Sequence, residues 1–223
     1  MLRGLAVKIK RKLDAAKIDA LVNRLKAYTM CDPGRIRSLV ELSRYVNSHR
    51  VEGDFVECGT YKGGTAAVLS RYMGSERHLY LYDSFKGMPP TSDKDGAEAA
   101  KWVGECRGTV EDVREAMKLV STDDSRYTII EGWFENTFRE ILPEKVAFLH
   151  CDADWYNSVT LVLDTFYPLI SEGGCVVLDD FGYWEGCREA FYDFCVRHNE
   201  KPLLERVGVS QAYWIKHKLN NRV

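Results

Sequence analysis

From Asp54 onward, short apolar runs alternate with helical stretches, and this alternation constrains the fold more than any other feature of the chain. The spacing predicts strands over 55–58, 79–82, 127–130, 146–149 and 175–178. It predicts helices between them over 64–73, 109–120, 135–142, 156–169 and 185–198. Strand–helix alternation of this length implies a parallel sheet covered on both faces. The pattern breaks at the end, where two strand-like runs, 203–207 and 211–216, are joined only by Gly208, Val209 and Ser210. That link is too short for a parallel crossover, so the pair is expected to form an antiparallel hairpin. At 223 residues and 45% hydrophobic, the chain suits one α/β domain with a sizeable core.

Ahead of the alternation, Leu2, Leu5, Ile9, Leu13, Ile18, Leu21, Val22 and Leu25 recur at roughly helical spacing. Pro33-Gly34 is expected to break this helix, with a second one over 35–48. Lys8, Lys10, Arg11, Lys12, Lys17, Arg24 and Lys26 make the first helix strongly basic. Such a helix can lie on a membrane surface, pack on a partner subunit or cap its own active site. The lack of aromatic anchors before Tyr28 weighs against the membrane. Residues 1–50 are therefore read as a helical segment serving as lid or oligomer contact, and 51–223 as the main domain. Residues 84–108, with Met88-Pro89-Pro90 and a polar run after it, read as an irregular mobile loop near the site.

The N-terminus lacks a continuous apolar signal core, and no run is long enough to span a membrane. Seven cysteines without a Cys-x-x-Cys pair read as reduced thiols of a cytoplasmic protein. The net charge of −2 gives no electrostatic reason to expect nucleic acid as a partner. The five tryptophans and twelve tyrosines can line a pocket or serve as ordinary core.

Asp54 to Thr65 runs strand, turn, helix, with Gly59 starting the turn and Gly63-Gly64 opening the helix. Glycines let backbone approach a ligand, and a helix N-terminus offers N–H donors. The spacing is not Gly-x-Gly-x-x-Gly, and no Gly-Lys-Ser/Thr follows, which disfavours a dinucleotide or a P-loop. Asp83 ends the next strand about twenty positions on, where a carboxylate can accept ribose hydroxyls. The alternative is that the glycines serve a tight turn and Asp83 caps a loop. A parallel sheet ending in one antiparallel hairpin is the layout of the class I methyltransferase fold. With this loop and Asp83, it points to S-adenosylmethionine as cofactor.

Two acidic clusters end apolar runs: Asp152-Ala153-Asp154 after 146–149, and Asp179-Asp180 after 175–178. Charges at the mouth of a buried strand are costly unless paired. Oxygen ligands without a Cys/His pattern favour magnesium or a similar ion over zinc, held by Asp152, Asp179 and Asp180. Asp154 is placed to take a proton from a substrate hydroxyl, or to N-cap the helix starting near Trp155. The alternative for Asp179-Asp180 is a solvated strand end. His150 is read as a satisfied buried histidine.

The residues resemble those of the macrocin O-methyltransferases, the TylF/MycF-type family. The resemblance rests on Val51 to Gly59 followed by Lys62-Gly63-Gly64, on Asp83 to Pro90, and on Gly132-Trp133-Phe134. It continues through Asp152 to Ser158, Gly173-Gly174, Asp179 to Gly182, Trp184 to Arg188 and the upstream Tyr28-Thr29-Met30. It implies a mostly parallel seven-stranded Rossmann-like sheet with N-terminal helices, and a metal-dependent enzyme that methylates hydroxyls on sugars of natural products. Glu57, Gly59, Thr60, Tyr61, Gly63, Gly64 and Thr65 would cradle the methionine part of the cofactor. Asp83 and Ser84 would bind its ribose, and Gly132, Trp133 and Phe134 would lie near adenine. Thr29 and Met30 would approach from the N-terminal segment, and Asp152 would face both cofactor and metal. Asp154 would be the general base. Asn157 departs from the usual acidic residue, and Trp155 from the usual aliphatic. Both flank the metal loop and leave the acceptor open.

The rival readings are a catechol-type O-methyltransferase and a catalytically silent S-adenosylmethionine-binding module. The expected partner is a small-molecule hydroxyl acceptor, a glycoside in the first instance. A homo-oligomer through the N-terminal helices is compatible with this reading.

Overall fold

The structure, a computed structural model, describes residues 2–217, with side chains from residue 12. Leu2, Leu5, Ile9, Lys8, Lys10 and Arg11 thus lie outside the described side chains. In chain order the helices and strands are α1 (Leu2–Leu25), α2 (Pro33–Ser48), β1 (Asp54–Cys58), α3 (Gly64–Tyr72) and β2 (Leu79–Asp83). Then come α4 (Gly96–Ala99), α5 (Val110–Leu119), β3 (Tyr127–Glu131), α6 (Phe134–Thr137) and β4 (Val146–Cys151). The chain finishes with α7 (Tyr156–Phe166), β5 (Ile170–Leu178), α8 (Glu185–His198), β6 (Glu205–Val207) and β7 (Gln211–Ile215).

The strands form one seven-stranded sheet in the order β3-β2-β1-β4-β5-β7-β6. The first five are mutually parallel, and β7 runs antiparallel to both β5 and β6. This is the class I methyltransferase layout with its terminal hairpin. Alternation along each strand feeds two cores, one on each face of the sheet. Phe55 and Phe148 stack at 4.9 Å in one core with Ile36, Leu39 and Leu69. Val56 and Leu149 face the other, with Tyr82, Phe166 and Phe194. Ile18, Val22 and Leu25 of α1 and Ile36, Leu39 and Val40 of α2 are buried in the first of these cores.

Boundaries differ from expectation where local chemistry overrides periodicity. Pro33 does not end structure; it starts α2 at the first helical position, with Asp32 accepting from Gly34 N at 2.7 Å. The helix expected over 135–142 closes after Thr137, because Phe138 turns inward onto Tyr82 and Phe166. The first hairpin strand is three residues long, the length that pairs with β7. Residues 84–108 contain α4 and are tied down rather than free. Met88 N donates to Glu105 O at 2.9 Å, and Asp95, 2% exposed, accepts from Ser92 N and Tyr156 N at 2.6 Å each. No helix among the described residues is long and apolar enough to cross a membrane.

Candidate active site

The sheet reverses its order of addition between β1 and β4, so the loops leaving those strands diverge and open a crevice at their carboxyl ends. The ladder continues one residue past the strands. Gly132 N donates to Asp83 O, Gly59 N to Tyr82 O, Asp152 N to Cys58 O and Asp179 N to Cys151 O, all at 2.8–3.0 Å. Gly132, Asp83, Gly59, Asp152 and Asp179 therefore stand in one row along the sheet edge. A cavity of about 310 Å³ lies over that row.

At one end sit the residues assigned to the cofactor. Gly59 adopts φ +90°, and a Cβ there would lie 1.8 Å from Asp152 O, so only glycine allows the two strand ends to meet. Asp83 Oδ2 accepts from Thr60 N at 2.9 Å and Tyr61 N at 2.7 Å, and Oδ1 from Phe85 N at 2.7 Å. Asp83 thus fastens the glycine loop and lines the cavity at once. Thr65 and Ser84 line the same space. Gly132, Trp133 and Phe134 form its far end, and Thr29 and Met30 its N-terminal wall.

Three assigned residues stand back from the cavity. Glu57 is fully buried, and its Oε1 meets His150 Nδ1 at 2.8 Å instead of facing a ligand. Gly63 caps α3 in a left-handed conformation. Gly64 permits close packing, since a Cβ there would meet Thr29 Cβ and Tyr28 O at 2.7 Å. These two shape the wall without lining it.

At the other end are four aspartates in two different circumstances. Asp179 is 1% exposed and fully engaged. Its Oδ1 accepts from Gln211 Nε2 at 2.8 Å and faces His150 Nε2 at 3.5 Å, an ion-pair contact longer than a good hydrogen bond. Its Oδ2 is paired with Arg35 Nη1 and lies 3.3 Å from Cys31 Sγ. Burial alone would raise its pKa. His150, Arg35 and Gln211 outweigh burial and hold the carboxyl at about 2. Burial would likewise depress the imidazole of His150, but Asp179 and Glu57 carry it up to about 9.

Asp152, Asp154 and Asp180 place carboxylate oxygens within 4.8 Å of one another. None of them forms an ion pair with a basic side chain among the described residues. Burial first, then repulsion from neighbouring aspartates (Asp179 foremost for Asp152 and Asp180, Asp180 foremost for Asp154), pushes Asp152 and Asp154 well above the ordinary carboxylate range and Asp180 up to about 6. Crowded, half-buried oxygens with no cation paired to them fit a hard divalent ion.

Asp154 does not cap α7. Asp95 accepts from Tyr156 N and takes that role, which frees the Asp154 side chain for the cavity. The Asp154 backbone is left-handed at φ +55°, and its Oδ1 accepts from Trp184 Nε1 at 2.9 Å. Met88, Trp102, Tyr183 and Trp184 line the space beside it.

Sequence reasoning missed Arg35, Cys31, Asp95, Trp102 and the contact made by Trp184. Arg35 alone carried a usable signal, standing three residues after a helix-capping aspartate. The others belong to irregular segments, where spacing says nothing about side-chain neighbours.

Comparison with known proteins gives the site its context. Residues 6–216 match the family described as macrocin-O-methyltransferase (TylF). A tetracenomycin-C rhamnosyl 4'-O-methyltransferase of Streptomyces olivaceus is 28% identical over 197 residues, covering 84% of this chain and 75% of that protein. The mycinamicin III 3''-O-methyltransferase of Micromonospora griseorubida is 28% identical over 199 residues, with 84% and 78% covered. The solved O-methyltransferase NovP superposes with a TM-score of 0.76 at 24% identity, over 85% of this chain and 82% of that one. CalS11, a calicheamicin methyltransferase, superposes at 0.70 and 17% identity, with 94% and 93% covered. The chain belongs to the macrocin O-methyltransferase family and is an O-methyltransferase.

Proposed function

We propose that this protein moves a methyl group from S-adenosylmethionine to a hydroxyl of a sugar or a sugar-bearing natural product, with a divalent cation, magnesium in the first instance, at the acidic end of the cavity. The observation that carries this reading is the placement of Asp154 beside Asp152 and Asp180 in the same cavity as Asp83 and Gly132. The sugar-directed names of the two bacterial relatives support the acceptor class.

On this reading the loop 59–65 and the N-terminus of α3 hold the methionine end of the cofactor. Asp83 and Ser84 hold its ribose, the segment 132–134 flanks its base, and Thr29 and Met30 close over it. Asp152, Asp179 and Asp180 would hold the metal. Asp179 already engages Arg35, Gln211 and Cys31, so it would join that set by giving up a contact to Arg35 or Cys31. When bound, the ion supplies Lewis-acid polarisation at the acceptor oxygen. The chain's own part is to orient the acceptor and accept its proton on the Asp154 carboxylate. The N-terminal helices serve as a lid or an oligomer contact, tested by a truncation starting at Tyr28.

A second reading, a catechol-type acceptor, draws on the aromatic wall of Trp102, Tyr183 and Trp184. Transfer of a tritiated methyl to a rhamnoside and to a catechol, each with and without EDTA, separates the two. The proposal expects the rhamnoside to be labelled and chelation to abolish the signal. Labelling of the catechol alone overturns the acceptor class, and full activity in EDTA overturns the metal.

A further inference from the structure

We propose that Trp184 is a positioning residue for this reaction, its indole N–H fixing the carboxylate of Asp154. The inference rests on the assignment of Asp154 as base. Asp154 sits on a turn, left-handed at φ +55°, and Trp155 N reaches back to Ala153 O at 2.6 Å. No regular element holds its side chain, so its orientation depends on an external tether. Trp184 Nε1 supplies one at 2.9 Å, a donor whose hydrogen bond is strongest when the carboxylate is ionised, the form a base requires.

The tether is itself braced. Trp184 is 7% exposed, and its backbone N donates to Asp180 O at 3.0 Å, so one residue ties together the two acidic turns. Its ring meets Trp155 edge-on at 4.9 Å and Trp102 at 6.3 Å. Trp155 is anchored in turn, its Nε1 donating to Pro89 O at 3.0 Å. Packing alone does not call for the indole nitrogen of Trp184, because a phenylalanine ring would serve as apolar filling. The nitrogen is a donor only, and Asp154 is its partner. A small misplacement of a reacting group is costly in rate, and this contact removes the freedom to misplace it.

The test is Trp184→Phe, which keeps a ring and removes the donor. We expect kcat to fall at least about ten-fold, the scale of a lost hydrogen bond to a charged group, with acceptor KM and S-adenosylhomocysteine affinity nearly unchanged. In an Asp154→Ala background the same change should cost nothing further. The indole N–H resonance of Trp184, assigned through its backbone, should move in Asp154→Ala. That readout survives even if Trp184→Phe fails to fold. Wild-type kcat in Trp184→Phe, parallel losses of kcat, cofactor affinity and stability, or an unmoved indole resonance overturns the inference. Near-normal turnover in Asp154→Ala overturns the base assignment and this inference with it. Failure of the inference alone looks different: Asp154→Ala is inactive and Trp184→Phe is not.

Discussion

Asp179 and Asp180 are neighbours in the chain and stand in opposite electrostatic circumstances. Asp179 points into a nest of Arg35, His150, Gln211 and Cys31, and is held ionised at about 2. Asp180 places its carboxylate beside those of Asp152 and Asp154, and burial and then the charge of Asp179 push it up to about 6. Strand alternation explains the split, because successive side chains leave a strand on opposite faces. Asp179 meets cations supplied by α2 and β4, Asp180 has no such pair among the described residues, and Asp152 lies within reach of both. The same sequence feature therefore yields a structural anchor on one side and a site short of positive charge on the other.

On the crowded side, Asp154 carries the largest expected effect. Replacing it with alanine should lower kcat by about 1000-fold, within the range of a lost general base, while S-adenosylhomocysteine still binds by calorimetry. Equal loss of binding would move Asp154 from chemistry to structure.

On the compensated side, Arg35→Met leaves Asp179 buried with one cation fewer. Urea unfolding without metal should show a loss of about 3 kcal/mol, typical of a broken buried pair. The rise in Tm on adding magnesium should be larger than in wild type, because Asp179 is then free to ligate. An unchanged midpoint would show that the pair contributes nothing.

The crowded side should reveal itself in pH dependence without metal. Asp152, Asp154 and Asp180 have folded pKa values above the unfolded carboxylate value, so their favourable contribution is complete at low pH. It is lost as pH rises from the unfolded carboxylate value through the folded one, by about 6 for Asp180 and at higher pH for Asp152 and Asp154. His150, raised to about 9, acts in the same direction, and Asp179 titrates too low to matter in this window. The metal-free Tm should fall between pH 5 and pH 8, and magnesium should raise Tm more at pH 8. A Tm that climbs across that window contradicts the charge assignment.

The smallest effect belongs to the support beneath the turn. Asp95→Ala removes the acceptor for Tyr156 N and should cost about 1 kcal/mol by urea unfolding, the usual worth of a helix cap.

The sheet was legible because short apolar runs such as 146–149 and 175–178 stand out between helical stretches and lead into the acidic strand ends. The acidic residues were legible for the same reason: strand ends in a parallel sheet share one edge, so Asp83, Asp152 and Asp179 had to align. The partners of those residues were not. Arg35 reaches Asp179 across 144 positions, and Asp95 reaches Tyr156 across 61, through segments with no period to extrapolate. The partner of Glu57 was not legible either, because His150 lies on another strand, 93 positions away, and meets it inside the sheet.

The crowded carboxylates are expected to take a divalent cation. Electron paramagnetic resonance of added Mn²⁺, which reads bound ion without turnover, addresses it directly. The account predicts one tightly bound Mn²⁺ per chain, displaced by Mg²⁺ and lost in Asp152→Asn and Asp180→Asn. No bound ion in the wild type, or undiminished binding in both variants, would contradict it.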